Sequence, residues 1–133
     1  EINLFNEKNN GETLLQLINN NYVKSAHDVS LGGIITAVSK MCIKGNKGIE
    51  FNKPKYSLSV IEYLLSEDQG RYIIEINPSD LKEVVKILEK NSVHFEELGK
   101  IIDKHMIIDK KTKVTIDELK AYNTNWLKNY MSS

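Results

Sequence analysis

SAHDVSLGGIITAVSKMCIKG, residues 25–45, passes from small and polar residues through a glycine pair into an apolar run. Ile34, Ile35, Val38, Met41 and Cys42 recur at the spacing of one helix face, and Gly45 is placed to end that helix in a left-handed turn. The residues before Ile34 therefore form a strand-to-helix turn. Two uses of that turn compete. Asp28 and Ser30 can cap the helix, their oxygens accepting from its unpaired first amides. Alternatively, the partial positive charge of a helix start and the open main chain at Gly32-Gly33 suit an anion, with Ser30 facing a phosphate and Asp28 holding magnesium or a substrate hydroxyl. His27 has no second histidine at ligand spacing, since His94 and His105 lie far along the chain, so a hydrogen-bonded structural role and no metal site are expected.

Working outward, Thr13 is read as the cap of a short helix in which Leu14, Leu15 and Ile18 share a face, stopped by the asparagines at 19–21. GIEF, residues 48–51, reads as a short strand, and Ile61, Leu64 and Leu65 suggest a third helix. RYIIEI, residues 71–76, is rich in β-formers and halts at Asn77-Pro78. Ser79 or Asp80 then caps a helix whose Leu81, Val84, Val85 and Leu88 form one stripe. Two strands, around 95–102 and 106–108, are joined by Asp103-Lys104. Thr115 and Glu118 form a capping box for a last helix carrying Leu119, Tyr122, Trp126, Leu127 and Tyr130. The elements mix without regular alternation, which indicates an α+β fold with helices covering a mixed β-sheet.

The 133 residues amount to about one domain and show no repeat or dividing linker, so 1–133 is expected to be a single domain. Eighteen basic residues balance eighteen acidic ones, leaving no field to draw the chain onto nucleic acid or an anionic membrane. No apolar run approaches the roughly 20 residues of a bilayer span. The one cysteine, Cys42, lies in an apolar periodic segment, where a buried thiol and a cytoplasmic setting are expected. The chain does not begin with methionine and opens on an unexplained EINLFNEKNNG, so it is expected to be a piece of something longer.

SEDQGR, residues 66–71, is a second cluster of polar residues. Glu67, Asp68, Gln69 and Arg71 stand just before a strand, either lining a cleft or forming a solvated loop with a weak surface ion pair. There is no Walker loop, dinucleotide fingerprint, nucleophile elbow or HExxH.

Taken together, SAHDVSLGGIITAVSKMCIKG and LLSEDQGRYIIEINPSDLKEVVKILEKNSVHFEELGKI resemble the last domain of the large subunit of the phosphoribosylformylglycinamidine synthase family. That family shows an S-A-H-D-V-S-D-G-G-L turn, then S-E-S-Q or S-E-D-Q-x-R before a strand, then a helix and a short I-G-x-[IV] strand. The match in order and spacing extends over roughly residues 12 to 131. The resemblance implies a fold like the C-terminal domain of aminoimidazole ribonucleotide synthetase, and a role in de novo purine synthesis. The family's reaction takes formylglycinamide ribonucleotide, ATP and glutamine-derived ammonia to formylglycinamidine ribonucleotide, ADP and phosphate. It further implies ATP and magnesium in the full-length enzyme, with neither bound tightly by this segment. The implied partners are the remaining domains of the chain, a glutaminase subunit and a small accessory subunit.

Carried over residue by residue, the resemblance assigns no catalytic residue here, because the family's histidine base, ATP-contacting lysine and magnesium carboxylates belong to other domains. Glu67, Asp68 and Gln69 take the pseudo-symmetric place of substrate contacts in the first C-terminal domain. They become, with Arg71 and with Ser25, His27, Asp28, Ser30, Gly32 and Gly33, candidates for an auxiliary ligand pocket. One departure stands out: Leu31 occupies the position of a family aspartate, which removes a potential magnesium or hydroxyl contact. A freestanding module that binds a small anion, and the C-terminal domain of another member of the same ATP-dependent superfamily, remain as alternatives.

Overall fold

The computed structural model describes residues 3–54, 59–68, 70–110 and 112–132, with only the backbone of Leu127. The elements run α1 (Leu4–Asn19), β1 (Val23–Asp28), α2 (Gly33–Gly45), β2 (Gly48–Phe51), α3 (Val60–Leu65) and β3 (Tyr72–Ile76). A 3₁₀ turn (Pro78–Asp80) leads into α4 (Leu81–Lys90), followed by β4 (Gly99–Ile102), β5 (His105–Ile107), β6 (Lys113–Thr115) and α5 (Ile116–Met131). They form two compact units: the chain up to Val38 together with Leu65–Glu96, and Ser39–Leu64 together with the chain from Glu97 onward.

In the first unit, β1 pairs antiparallel with β3, setting Ser25 against Glu75 and Asp28 against Tyr72. Leu17, Val29, Ile34, Ala37, Val38 and Val84 make its core. Helix α1 starts well before Thr13. Asn3 is its cap, accepting from the amides of Phe5 and Asn6 at 3.1 Å. Thr13 is instead an interior helical residue only 2 % exposed, whose hydroxyl accepts from Asn91 Nδ2 at 3.1 Å. Leu15 and Ile18, expected on a packed face, are exposed, and Leu17 is the buried one.

Three helices end alike. After α1, α2 and α4 a left-handed residue, Asn21, Asn46 or Ser92, lets the next amide return to the helix, as in Tyr22 N to Leu17 O at 3.1 Å and Val93 N to Leu88 O at 2.9 Å. The left-handed residue expected at Gly45 is therefore Asn46, whose short amide side chain tolerates that conformation. The 3₁₀ turn before α4 puts Asp80 at the cap position, without a side-chain capping bond.

In the second unit, four strands lie in the order β4-β2-β5-β6. β2 runs antiparallel to β4 and parallel to β5, so the sheet is mixed, as expected. The strand expected at 95–102 is shorter, the one expected at 106–108 lies one residue earlier, and β2 is seated between them. β6 was not expected. Cys42, Ile49, Phe51, Leu64, Met106 and Ile116 are the core, the thiol being buried as expected. The capping box of α5 is complete: Thr115 N donates to Glu118 Oε2 at 2.8 Å, and Glu118 N donates to the Thr115 hydroxyl at 3.1 Å. The aromatic stripe beyond it faces solvent, with Tyr122, Trp126 and Tyr130 all exposed. Among the described residues no helix is long and apolar enough to cross a membrane.

Candidate functional site

The antiparallel pairing of β1 with β3 puts the end of one strand beside the start of the other. The loop leaving β1 and the segment entering β3 are thereby held together within the first unit. Val29 N donates to Arg71 O at 2.9 Å and extends the ladder by one rung. Gly32 N donates to Glu67 Oε1 at 2.7 Å, and Gly33 N closes the turn on Ser30 O at 2.9 Å. Gly32 sits at φ +84° and Gly33 at φ +68°, backbone that glycine adopts without strain. The Thr36 hydroxyl donates to Gly32 O at 3.0 Å, which fixes the turn against the helix it starts.

Arg71 is tied down by its own segment. Its Nη2 donates to Ser66 O at 2.7 Å and to Ser66 Oγ at 3.0 Å, and its Nε donates to Asp68 O at 3.1 Å. Asp68 Oδ2 lies 3.4 Å from the same guanidinium. A cleft of about 370 Å³ opens here, with Glu7, Asp28, Ser30, Glu67, Arg71 and Tyr72 on its walls. Glu7 comes from the first turn of α1, held close by Asn10 Nδ2 donating to Gly70 O at 3.0 Å.

Of the residues singled out from sequence, the structure gathers Asp28, Ser30, Glu67 and Arg71 around this cleft and joins Gly32 to Glu67. Ser25, His27 and Asp28 are strand residues rather than part of the turn. The Ser25 hydroxyl donates to Glu75 Oε2 at 2.7 Å across the ladder. His27 Nδ1 lies 2.7 Å from the Asp28 carbonyl oxygen, and because a carbonyl only accepts, that contact is a bond with the proton on Nδ1. Neither Ser25 nor His27 lines the cleft. Asp68 serves the Arg71 clasp, and Gln69 lies outside the described residues. Glu7 and Tyr72 escaped the sequence reading. Glu7 reaches the cleft where Asn10 of α1 meets Gly70, sixty residues further along the chain, and no local pattern reports that.

The chain belongs to the family described as AIR synthase related protein, C-terminal domain, whose profile matches residues 1–111. Several relatives within that family are PurL proteins. The phosphoribosylformylglycinamidine synthase subunit PurL of Pelagibacter ubique is 64 % identical over 133 residues, which is all of this chain and 18 % of the relative. PurL of Bartonella quintana is 32 % identical over 131 residues, 98 % of this chain and 18 % of that protein. The chain thus spans under a fifth of these relatives. Among solved structures, Thermotoga maritima PurL complexed with FGAR superimposes with a TM-score of 0.74 at 22 % identity, covering 85 % of this chain and 20 % of that one. The ATP complex of the same enzyme gives 0.72 at 21 % identity, covering 84 % of this chain and 21 % of that one. These likenesses bear on the fold.

The helix start beside the cleft is engaged by the chain itself. The Gly32 amide at the start of α2 already binds the Glu67 carboxylate, and Glu7 and Asp28 add two more negative groups. The cationic side chain on the wall, Arg71, is engaged by Ser66 and Asp68. Among the described residues no three His, Cys, Asp or Glu are grouped to hold an ion.

Proposed function

We propose that residues 1–133 act as one domain, the last, of a PurL-type phosphoribosylformylglycinamidine synthase. On this reading the intact cytoplasmic protein converts formylglycinamide ribonucleotide, ATP and ammonia to formylglycinamidine ribonucleotide, ADP and phosphate. ATP and magnesium are held by other domains of the same polypeptide. A glutaminase subunit and a small accessory subunit complete the assembly. The observation that carries the reading is the 64 % identity to Pelagibacter ubique PurL along the entire chain. This domain contributes no catalytic group. Its acidic cleft at Asp28, Ser30, Glu67 and Arg71 is the candidate auxiliary pocket, with Gln69 beside it in sequence, and suits a hydroxyl-bearing or cationic group better than a phosphate.

The test is to express the polypeptide as its gene encodes it and to follow ADP release with ammonium as nitrogen donor. ADP formation that requires formylglycinamide ribonucleotide, with none from residues 1–133 alone, is expected. A gene product no longer than the segment, or an intact protein that releases no ADP with this substrate, would overturn the reading.

A further inference from the structure

Helix α5 begins inside the second unit, where Ile116 is buried, but residues 121–126 and 128–132 are all exposed. Isolated helices shorter than about 12–15 residues are marginal in water, and within proteins most helical stability comes from packing one face. Tyr122 is 78 % exposed and Trp126 62 %, four residues apart and so on the same face, with Tyr130 one further turn along at 72 %. Across residues 121–132, AYNTNWLKNYMS, Lys128 is the single charged residue. A helix that works in water is normally dressed with acids and lysines. A face of tyrosine and tryptophan depleted in charge has instead the composition of an interface core.

We propose that the α5 face carrying Tyr122 and Trp126 is a docking surface for the part of the same polypeptide outside residues 1–133. The inference rests on the reading that the chain is one domain of a longer synthase. The family profile stops at residue 111, before α5, whereas similarity to the two PurL relatives extends over 100 % and 98 % of the chain. Helix α5 therefore falls within the stretch matched to those proteins, and the greater part of each of them lies beyond the matched 18 %. The occupant is accordingly intramolecular, an apolar surface presented by a neighbouring domain.

The experiment uses the full-length gene product with p-benzoylphenylalanine in place of Tyr122, irradiated and mapped by mass spectrometry. Cross-links to residues of the same chain outside 1–133, migrating at monomer mass, are expected. Cross-links to a second copy, links confined to residues 1–133, or no cross-link would overturn the proposal. As a second readout, the emission of Trp126, obtained by difference against Trp126→Phe, is expected to resist acrylamide quenching, and solvent-like quenching would equally count against it. Synthase activity assayed on the same preparation separates the two ideas. An inactive protein with the intrachain cross-link loses the assigned reaction and keeps the docking surface.

Discussion

The Gly32 amide donates to the Glu67 carboxylate at 2.7 Å, joining the loop before α2 to the segment before β3 across 35 positions of sequence. A chain-borne negative charge thus sits where a helix start would otherwise receive an anion. Because the bond lies at the surface, Glu67→Ala is expected to lower stability by about 0.5–1.5 kcal/mol, and Glu67→Gln, which keeps an acceptor, by less. Urea unfolding of the two variants measures this, and an Ala variant as stable as the parent would show that the bond contributes nothing.

Gly32→Ala should cost more. The new Cβ would collide with the Thr36 hydroxyl and approach Thr36 Cβ at 3.0 Å, at a φ of +84° that alanine rarely adopts. A loss of about 1–3 kcal/mol is expected from the backbone alone. Adding Thr36→Ala should recover part of the loss and leave the φ penalty, so a double variant fully restored in thermal midpoint would argue against backbone strain.

Gly48→Ala tests the sheet of the second unit. A Cβ there would run into the His105 backbone, where β2 and β5 approach each other. A backbone cannot yield as a side-chain tip does, so the variant is expected to lose cooperative unfolding of this unit, whereas Gly45→Ala, which meets open space, should be tolerated. Circular dichroism melts of the pair decide it.

Thr13 supplies a buried acceptor to Asn91, whose amide also donates to Gln16 Oε1 at 2.9 Å and whose carbonyl accepts from Asn9 Nδ2 at 2.8 Å. Thr13→Val keeps the shape and removes the hydroxyl, with an expected loss of about 1 kcal/mol. Asn91→Ala, which removes both side-chain bonds to α1 and leaves only the backbone carbonyl that Asn9 reaches, should be worse. The reverse order in denaturant midpoints would contradict this account.

Acid should loosen α5. Hydrogen bonds from the Thr115 side chain and backbone hold the Glu118 carboxyl below its ordinary 4.5. A carboxyl lowered by folding contributes stability that is complete above that ordinary value and is lost as pH falls through the lower folded one. Helicity measured from pH 7 down to 3 should therefore decline more steeply in the parent than in Thr115→Ala, and parallel curves would remove the capping box as the cause.

How much of this was legible beforehand depends on the range of the interaction. Ile34, Val38 and Cys42 announce α2 because helical periodicity is local, and Thr115 with Glu118 announces the start of α5 for the same reason. Thr13 misled because a capping residue and a buried interior threonine look alike until Asn91, 78 residues on, is known to approach it. β6 is three residues long in a lysine-rich stretch and exists by pairing with β5. At the site, Asp28, Ser30, Glu67 and Arg71 were nameable as polar clusters, yet the Glu67 bond that fills the helix start depends on strand pairing, and Glu7 on the cleft wall depends on the α1 contact with Gly70, neither of which composition encodes. The exposure of Tyr122 and Trp126 likewise reverses what their spacing suggests, since periodicity identifies an apolar face without saying what covers it.

The register of β2 has a consequence during synthesis on the ribosome. Gly48–Phe51 carries three buried positions, yet both of its partners, β4 and β5, lie about fifty residues downstream. At 5–20 residues per second the nascent strand waits several seconds with both edges open. That interval, rather than any weakness of the finished fold, is when a translating cell would most need a chaperone to shield Ile49 and Phe51.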